Sequence, residues 1–303
     1  MQLGIVGLGG MGTGMARRLA RAGVQAVCYD QAEAARQALA DERNVHCAEN
    51  LAALCARLAG ERVILLMLSA GAAVEEAIRD LLPLVSAGDM LVDGGNGYYR
   101  DSMHRALTLS QQGLRYIDAG VSGGIHGLEH GYCLMLGGTP KTIEIFEPYA
   151  RVLAPAPDAG WLHCGPSGAG HFAKMVHNGI EYGIMQALAE GFALLAARRD
   201  LDIDPARLAE TWRRGSVVRS WLLDLCAVIL KDNESLEGVA PVIDDSGAGR
   251  WTATEAIELG VSAPVITTAL MARFSSQGRS DHARKLIALM RAGCGGHAVH
   301  RKA

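Results

Sequence analysis

Short, wholly apolar runs recur along the first half of the chain, each followed by a segment of helical period. Leu3–Val6, Ala26–Asp30, Val63–Leu68 (VILLML) and Met90–Asp93 (MLVD) read as strands. The unbroken hydrophobicity of the last two fits strands covered on both faces. Arg115–Asp118, Cys133–Leu136 and Trp161–Cys164 are further strands, and Met15–Ala22 is the first helix. This β/α alternation predicts a parallel sheet with helices on both faces. After GPSGAG (165–170) the pattern becomes helical, over roughly 169–197, 205–214, 220–231, 253–259, 265–275 and 280–291. Pro205 and Pro264 sit where first-turn prolines belong, and Ser167 is placed as an N-cap. The expected organisation is therefore one domain over 1–165 and an all-helical domain over 166–303, with no internal repeat.

Composition narrows the partners. With 29 Lys and Arg against 32 Asp and Glu, the net charge is −3, and no basic field runs along the chain. Nucleic acid and anionic membrane are not expected partners. Aromatic residues make up 5%, which argues against a stacking platform for single strands. Seven scattered cysteines without a C-x-x-C suit free thiols in a reducing, cytoplasmic setting. The first residues, MQLGIVGLGG, lack the charged and apolar regions of a signal peptide. The long apolar stretch from Gly179 to Ala197 includes Glu181, Gln186 and Glu190, so it reads as a buried helix before a membrane span.

Gly7-Leu8-Gly9-Gly10-Met11-Gly12 is G-x-G-x-x-G placed directly after a strand and before a helix. The first glycine permits the tight turn, the second lets a pyrophosphate approach the backbone, and the third lets helix and strand pack closely. The free amides of the helix start then face the phosphates. In this context the motif predicts an α/β Rossmann-type doubly wound domain that binds a dinucleotide, followed by the all-α domain. Asp30, ending the second strand, can accept hydrogen bonds from the ribose hydroxyls and would repel a 2′-phosphate, which favours NAD over NADP. Gln31 and Ala32 bring no cation, and Arg36 lies a helical turn or more away. The competing reading of Asp30 is a helix cap. Leu68, which closes VILLML, is counted with the cofactor-binding residues.

KMVHNGIEYG (174–183) carries the chemistry of the second half. Lys174, His177, Asn178 and Glu181 fall at i, i+3, i+4 and i+7, on one helix face among apolar neighbours. Spacing alone leaves a solvated face open as an alternative. The apolar, glycine-rich flanks and the position just after the domain boundary favour an acid–base face at a cleft.

This stretch resembles the catalytic helix of the 6-phosphogluconate dehydrogenases, and the resemblance runs nearly the length of the chain. DAGVSGG (118–124), Gly127, Glu129 and GYCLMLGG (131–138) are similar to that family's substrate loop. DSGAGRWT (245–252) and RAGCGGHAV (291–299) are similar to its later motifs, and the length matches its short form. The wider β-hydroxyacid dehydrogenases share the glycine loop, the VSGG loop and the lysine, but not HNGIEYG or GGHAV. The resemblance implies oxidative decarboxylation of 6-phosphogluconate to ribulose 5-phosphate, with Lys174 as general base and Glu181 as general acid. It assigns His177 and Asn178 to the substrate, Ser122, Gly123 and Gly124 to its carboxylate end, and Asn96 to a place between nicotinamide and substrate. By the same resemblance, Tyr182, Arg250, Thr252 and Arg273 are expected to form part of the phosphate pocket. Arg291 and His297 match tail residues that reach in from a second subunit, which implies a homo-oligomer, dimer or tetramer. By composition alone, Arg250 and Arg273 read equally as surface charge and the tail as a frayed basic end.

Three positions depart from the family pattern: Gly97 for serine, Ala248 for an acidic residue, and Cys294 for an aromatic. His297 and His300 lack partners at metal-ligand spacing, so no metal is expected. The alternatives are an NAD-dependent β-hydroxyacid dehydrogenase acting on another small 3-hydroxy acid, and a dinucleotide sensor without turnover.

Overall fold

A computed structural model describes residues 1–233, 236–295 and 298–300. The chain forms two compact units, Met1–Val176 and His177–Ala303. The division along the chain falls inside the helix that follows GPSGAG, beyond the turn itself.

The first unit is built on a sheet of eight strands. In chain order they are β1 (Gln2–Val6), β2 (Gln25–Tyr29), β3 (Val45–Cys47), β4 (Val63–Leu66), β5 (Met90–Asp93), β6 (Arg115–Ser122), β7 (Cys133–Gly137) and β8 (Trp161–Gly165). Their order across the sheet is β3-β2-β1-β4-β5-β6-β7-β8. The first six run parallel, as the β/α alternation predicts. The expectation of a wholly parallel sheet is corrected at β7, which pairs antiparallel with β6, while β8 runs parallel to β7. The physical reason is the connection: β6 and β7 are joined by residues 123–132, including the one-turn helix Gly127–His130, which is too short for a crossover that would return the chain parallel.

Side chains alternate along the strands and feed two apolar layers. Leu3, Ile5, Val63, Leu65, Met90 and Val92 point to one layer with Met15, Leu19 and Phe146. Val6, Ile64, Leu66 and Leu91 point to the other with Leu54, Ile78 and Leu109. Period two with both faces buried is why these strands read as unbroken hydrophobic runs. The helices of this unit are α1 (Gly10–Arg21), α2 (Glu33–Gln37), α3 (Leu51–Arg57), α4 (Ala72–Leu81), α5 (Tyr99–Ser110), α6 (Gly127–His130) and α7 (Pro140–Leu153). Helix α1 begins five residues before the expected Met15, because the glycine loop is its first turn. Arg18 ties it down by donating to the carbonyls of Leu128 (3.2 Å), Val152 (2.9 Å) and Ala154 (2.6 Å).

Helix α8 spans Ala169–Ala197, as its periodicity predicts. Its cap differs from expectation. The fully buried Asp118 carboxylate, rather than Ser167, accepts the amides of Gly168 (2.6 Å) and His171 (2.8 Å). A full negative charge at a helix start satisfies two amides and opposes the helix dipole, which a hydroxyl does less well.

The second unit holds the rest of α8 with α9 (Pro205–Gly215), α10 (Trp221–Asp232), α11 (Ala248–Glu258), α12 (Pro264–Ser276) and α13 (Asp281–Gly295). Pro205 and Pro264 occupy first-turn positions. Asp204 and Ser220 cap α9 and α10 through the amides of Arg207 and Leu223. Helix α11 starts five residues before the expected 253, since Gly247 at φ +94° turns the chain directly into it. The later half of α8 is buried within this chain only around Phe192, which packs with Ala209 and Leu223. Ile180, Ile184, Met185 and Leu194 are exposed, as are Val228 and Ile229 on α10 and Met271 on α12.

Among the described residues, no helix is long and apolar enough to cross a membrane. Burial raises the thiols of Cys28, Cys47, Cys55, Cys164 and Cys226, whereas Cys133 and Cys294 lie exposed. A thiol reagent near neutral pH is therefore expected to label Cys133 and Cys294 first. Peptide mapping by mass spectrometry checks this, and rapid labelling of Cys28 in folded protein would contradict the packing described.

Candidate active site

The glycine loop has the shape that a dinucleotide requires. Gly7 sits at φ +97°, and a Cβ there would lie 2.4 Å from the Met67 carbonyl oxygen. A Cβ on Gly12 would lie 2.0 Å from the Gly7 carbonyl oxygen, so the turn closes only on glycine. At Gly9 a Cβ would meet nothing within 4 Å, which leaves that side of the loop open. Helix α1 has no side-chain cap and no acidic residue in its first turn, so its leading amides suit an anion. Leu68 borders the loop, with its side chain 2.9 Å from where a Gly7 Cβ would stand. Gly10 faces Ile125 of the VSGGIHG loop, and Met11 accepts a 3.4 Å hydrogen bond from the Tyr132 hydroxyl. Tyr132 is wholly buried, and burial pushes its phenol up to about 12. Together these contacts set Ser122, Gly123 and Gly124 beside the glycine loop. Gly123 (φ +127°) and Gly124 (φ +53°) make the sharp turn that ends β6.

Asp30 holds this corner from the side. One carboxylate oxygen accepts the Leu8 amide at 2.7 Å and the other accepts the Ala32 amide at 2.8 Å. Each oxygen keeps a lone pair for a further donor. Arg36 is closer than its sequence distance suggests, for its guanidinium donates to the carbonyls of Asp30 (2.6 Å) and Gln31 (3.2 Å). Helix α2 starts at Glu33 and turns Arg36 back over the strand end.

Asn96, at φ +53°, uses its whole amide on β6. It accepts from the Val121 amide (2.8 Å) and donates to the Val121 carbonyl (3.1 Å). The resemblance set it between nicotinamide and substrate; in the structure its side chain braces the strand that carries Ser122.

Lys174 is placed by glycines. It is 6% exposed, and a Cβ on Gly120 would stand 2.5 Å from the Lys174 Cβ and 2.7 Å from the Gly170 carbonyl oxygen. Helix α8 thus lies directly on β6. One turn before the lysine, His171 is 1% exposed and bonded at both ring nitrogens: Nδ1 to the Ser102 hydroxyl (2.7 Å) and Nε2 to the Asp93 carbonyl (3.1 Å). A carbonyl only accepts, so Nε2 carries the proton and Nδ1 accepts from Ser102. Asp93 itself takes Arg105 (2.9 Å) and the Tyr116 hydroxyl (3.1 Å). Burial alone would lower the Arg105 guanidinium, but Tyr116, Asp93 and Glu75 reverse this and raise it. Gly97 stands over this network, 3.5 Å from His171 and 3.6 Å from Arg105 measured from the position of an added Cβ. Asp93, Arg105, Asp118 and His171 were not singled out in the sequence. The histidine in GAGHFAK and the aspartate opening DAGVSGG were the available signals.

In the second unit the stripe continues along α8. His177 Nδ1 lies 3.6 Å from a Glu181 carboxylate oxygen and 3.4 Å from Asn178 Oδ1. All three side chains are partly exposed. The Tyr182 ring packs against Gly249 and beneath Arg273, whose guanidinium carbon is 4.0 Å from the ring centroid. The Tyr182 hydroxyl is 3.2 Å from Ser246 Oγ. Arg250 lies over the Phe274 ring at 5.5 Å and pairs with Asp245 at 2.7 Å. Tyr182, Arg250 and Arg273 are thus gathered around residues 244–250. Thr252 is not open to them in the same way, because it is buried and its hydroxyl donates to the Ala248 carbonyl (2.8 Å). Arg291 is exposed on α13, and His297 lies outside the described residues.

Comparison with known proteins gives the family. Residues 2–158 match the NAD binding domain of 6-phosphogluconate dehydrogenase, and residues 170–295 match the C-terminal domain of 6-phosphogluconate dehydrogenase. The chain belongs to the 6-phosphogluconate dehydrogenase family. It is 41% identical over 303 residues to the NAD(+)-dependent, decarboxylating 6-phosphogluconate dehydrogenase of Haloferax volcanii, covering 100% of this chain and 99% of that one. It is 34% identical to the NADP(+)-dependent, decarboxylating enzyme of Bacillus subtilis, covering 93% of this chain but 63% of the longer relative. Among solved structures, the 6-phosphogluconate dehydrogenase of Plasmodium falciparum superposes with a TM-score of 0.82 at 25% identity, over 100% of this chain and 66% of that one. Full-length agreement with the first relative and partial coverage of the other two mark this chain as a short form of the family.

Proposed function

We propose that the chain oxidatively decarboxylates 6-phosphogluconate to ribulose 5-phosphate with NAD, using Lys174 as general base and Glu181 as general acid. The observation that carries this reading is α8 itself. One continuous helix bears a buried amine, packed on β6, and a carboxyl group seven residues later. Seven residues are about two turns and about 10 Å of rise.

The residues fit each step. Lys174 takes the proton from the C3 hydroxyl as the C3 hydride leaves for the nicotinamide, which the bound cofactor supplies as acceptor. The role requires a neutral amine, and burial disfavours the charged form of an amine. The 3-keto acid then loses its carboxylate as CO2, the electrons of that bond pass to the C3 oxygen, and Lys174 returns its proton there to give an enediol. Glu181 protonates C2 as Lys174 takes the C3 hydroxyl proton back, which gives the ketose. His177 lies 3.6 Å from the Glu181 carboxylate. His177 and Asn178 orient hydroxyls. Ser122, Gly123 and Gly124 meet the carboxylate end, and Tyr182, Arg250 and Arg273 meet the phosphate. Arginine suits that task through its planar fork.

The open side at Gly9, the uncapped start of α1 and the Asp30 carboxylate support NAD as cofactor. A 2′-phosphate beside Asp30 would meet like charge. The exposed apolar side chains of α8, α10 and α12 support a homo-oligomer, because covering them with a second subunit removes them from water. The tail bearing Arg291 and His297 is assigned to a neighbouring subunit's site on the family resemblance.

Steady-state assays with NAD and NADP in parallel test the cofactor assignment. The wild type is expected to use NAD more efficiently, and Asp30→Ala to narrow the gap about tenfold or more, chiefly by weakening NAD. Better use of NADP by the wild type would overturn it.

A further inference from the structure

Asp245 is almost wholly enclosed, with its side chain 3% exposed, yet it lies among the cations assigned to the substrate phosphate. Its Oδ1 accepts the Gly247 amide at 2.9 Å and so forms the turn that launches α11. Its Oδ2 is buried and has no aligned hydrogen-bond donor. Its near neighbour is Arg250 Nη2, at 2.7 Å but off the hydrogen-bonding direction. The contact is a charge pair, not a directed bond. Arg250 is otherwise half exposed and rests on the Phe274 ring. The loop carrying Asp245 is fixed to the end of α12: Ser276 accepts the Ile243 amide (3.1 Å), Gln277 donates to the Ile243 carbonyl (2.7 Å), and Arg273 donates to the Asp244 carbonyl (2.9 Å).

We infer that Asp245 is a positioning residue for the phosphate site: its buried carboxylate holds one edge of the Arg250 guanidinium and leaves the other edge presented to an incoming phosphate. This rests on the assignment of Arg250 to phosphate made above. Two effects of Asp245 oppose each other. Its charge repels a dianion, but Arg250 stands between them and the face is open to water, so the repulsion is screened. Holding an exposed arginine in one arrangement removes side-chain entropy that binding would otherwise cost. Pre-organisation is the larger effect here, because the carboxylate and the guanidinium are already in contact and the loop beneath them is tied to α12.

The test uses the full chain with Asp245→Asn, Arg250→Gln and the double variant. Asparagine keeps the acceptor for Gly247 and replaces the charged oxygen facing Arg250 with an NH2 that cannot pair with a guanidinium. Asp245→Asn is expected to raise KM for 6-phosphogluconate about tenfold, and to weaken competitive inhibition by inorganic phosphate by the same factor. Both kcat and KM for NAD should stay within about twofold of wild type. In the Arg250→Gln background it should have no further effect, since it acts through that arginine. Unchanged or tighter binding in Asp245→Asn overturns the inference, as does an equal effect in both backgrounds. A fall in kcat or a rise in KM for NAD shows a structural role instead and also overturns it. If Arg250→Gln itself changes neither KM for 6-phosphogluconate nor phosphate inhibition, the phosphate assignment has failed, and the inference fails with it. Should Asp245→Asn not fold, Asp245→Ser keeps an acceptor for the Gly247 amide and is read by the same measurements.

Discussion

Replacing Lys174 by alanine is expected to lower kcat about 10²–10⁴-fold while leaving the dissociation constant for NAD within about twofold. The split follows from where the residue stands. Lys174 sits on β6 over Gly120, whereas the glycine loop proposed to hold the cofactor is formed by Gly7, Gly9 and Gly12 between β1 and α1. Truncation at Cβ keeps the contact with Gly120, because that contact is made by the Lys174 Cβ. The start of α8 is fixed independently by Asp118 and His171, so the helix should not move. What disappears is the buried stem beyond Cβ and the amine, and with it the proposed proton acceptor. Stopped-flow and steady-state kinetics, with cofactor binding followed by fluorescence, measure both quantities. Activity within about tenfold of wild type would remove Lys174 from the base's role.

Gly12→Ala is expected to weaken the cofactor about a hundredfold or more, with a much smaller change in kcat at saturating NAD. The added Cβ would stand 2.0 Å from the Gly7 carbonyl oxygen and 3.3 Å from the Met67 Cβ. The first distance falls well inside van der Waals contact and the obstacle is backbone, so the loop or the helix start must shift. A shift of about 1 Å at a pre-organised site costs about 10²-fold. Because Gly7 is also held by its amide on the Tyr29 carbonyl (2.8 Å), the displacement falls on the amides of α1 that face the phosphates. Gly9→Ala is the comparison, since a Cβ there meets no protein atom within 4 Å. It should fold normally and lose affinity only through collision with the cofactor. Equal melting temperatures with equal losses in both variants would contradict this division between packing and ligand approach.

The sequence made some of this legible and concealed the rest for physical reasons. The strands of the parallel half were readable because both faces are buried, which erases polar positions. The extent of α8 was readable because its periodicity runs unbroken from the turn after Pro166. The direction of β7 was not, since its composition matches a parallel strand and only the short connection over residues 123–132 sets it. Lys174 and Glu181 stood out as charges in an apolar helix. Asp118, His171, Asp93 and Arg105 did not, because buried polar groups are recognisable only through partners far away in sequence, such as His171 with Ser102. Asp30 shows the same limit: its carboxylate accepts the Leu8 and Ala32 amides, contacts that its place at the end of a strand does not reveal. The phosphate cluster depended on family resemblance, since Arg250 and Arg273 look like ordinary surface charge until Tyr182, Asp245 and Phe274 are seen around them.

The central claim is that one helix carries both the base for oxidation and the acid that follows decarboxylation. The most direct measurement incubates the protein with 6-phosphogluconate and NAD and follows reduced cofactor and released CO2 together. The account predicts that the two appear in equal amounts. Reduced cofactor without CO2, or no turnover, would contradict it.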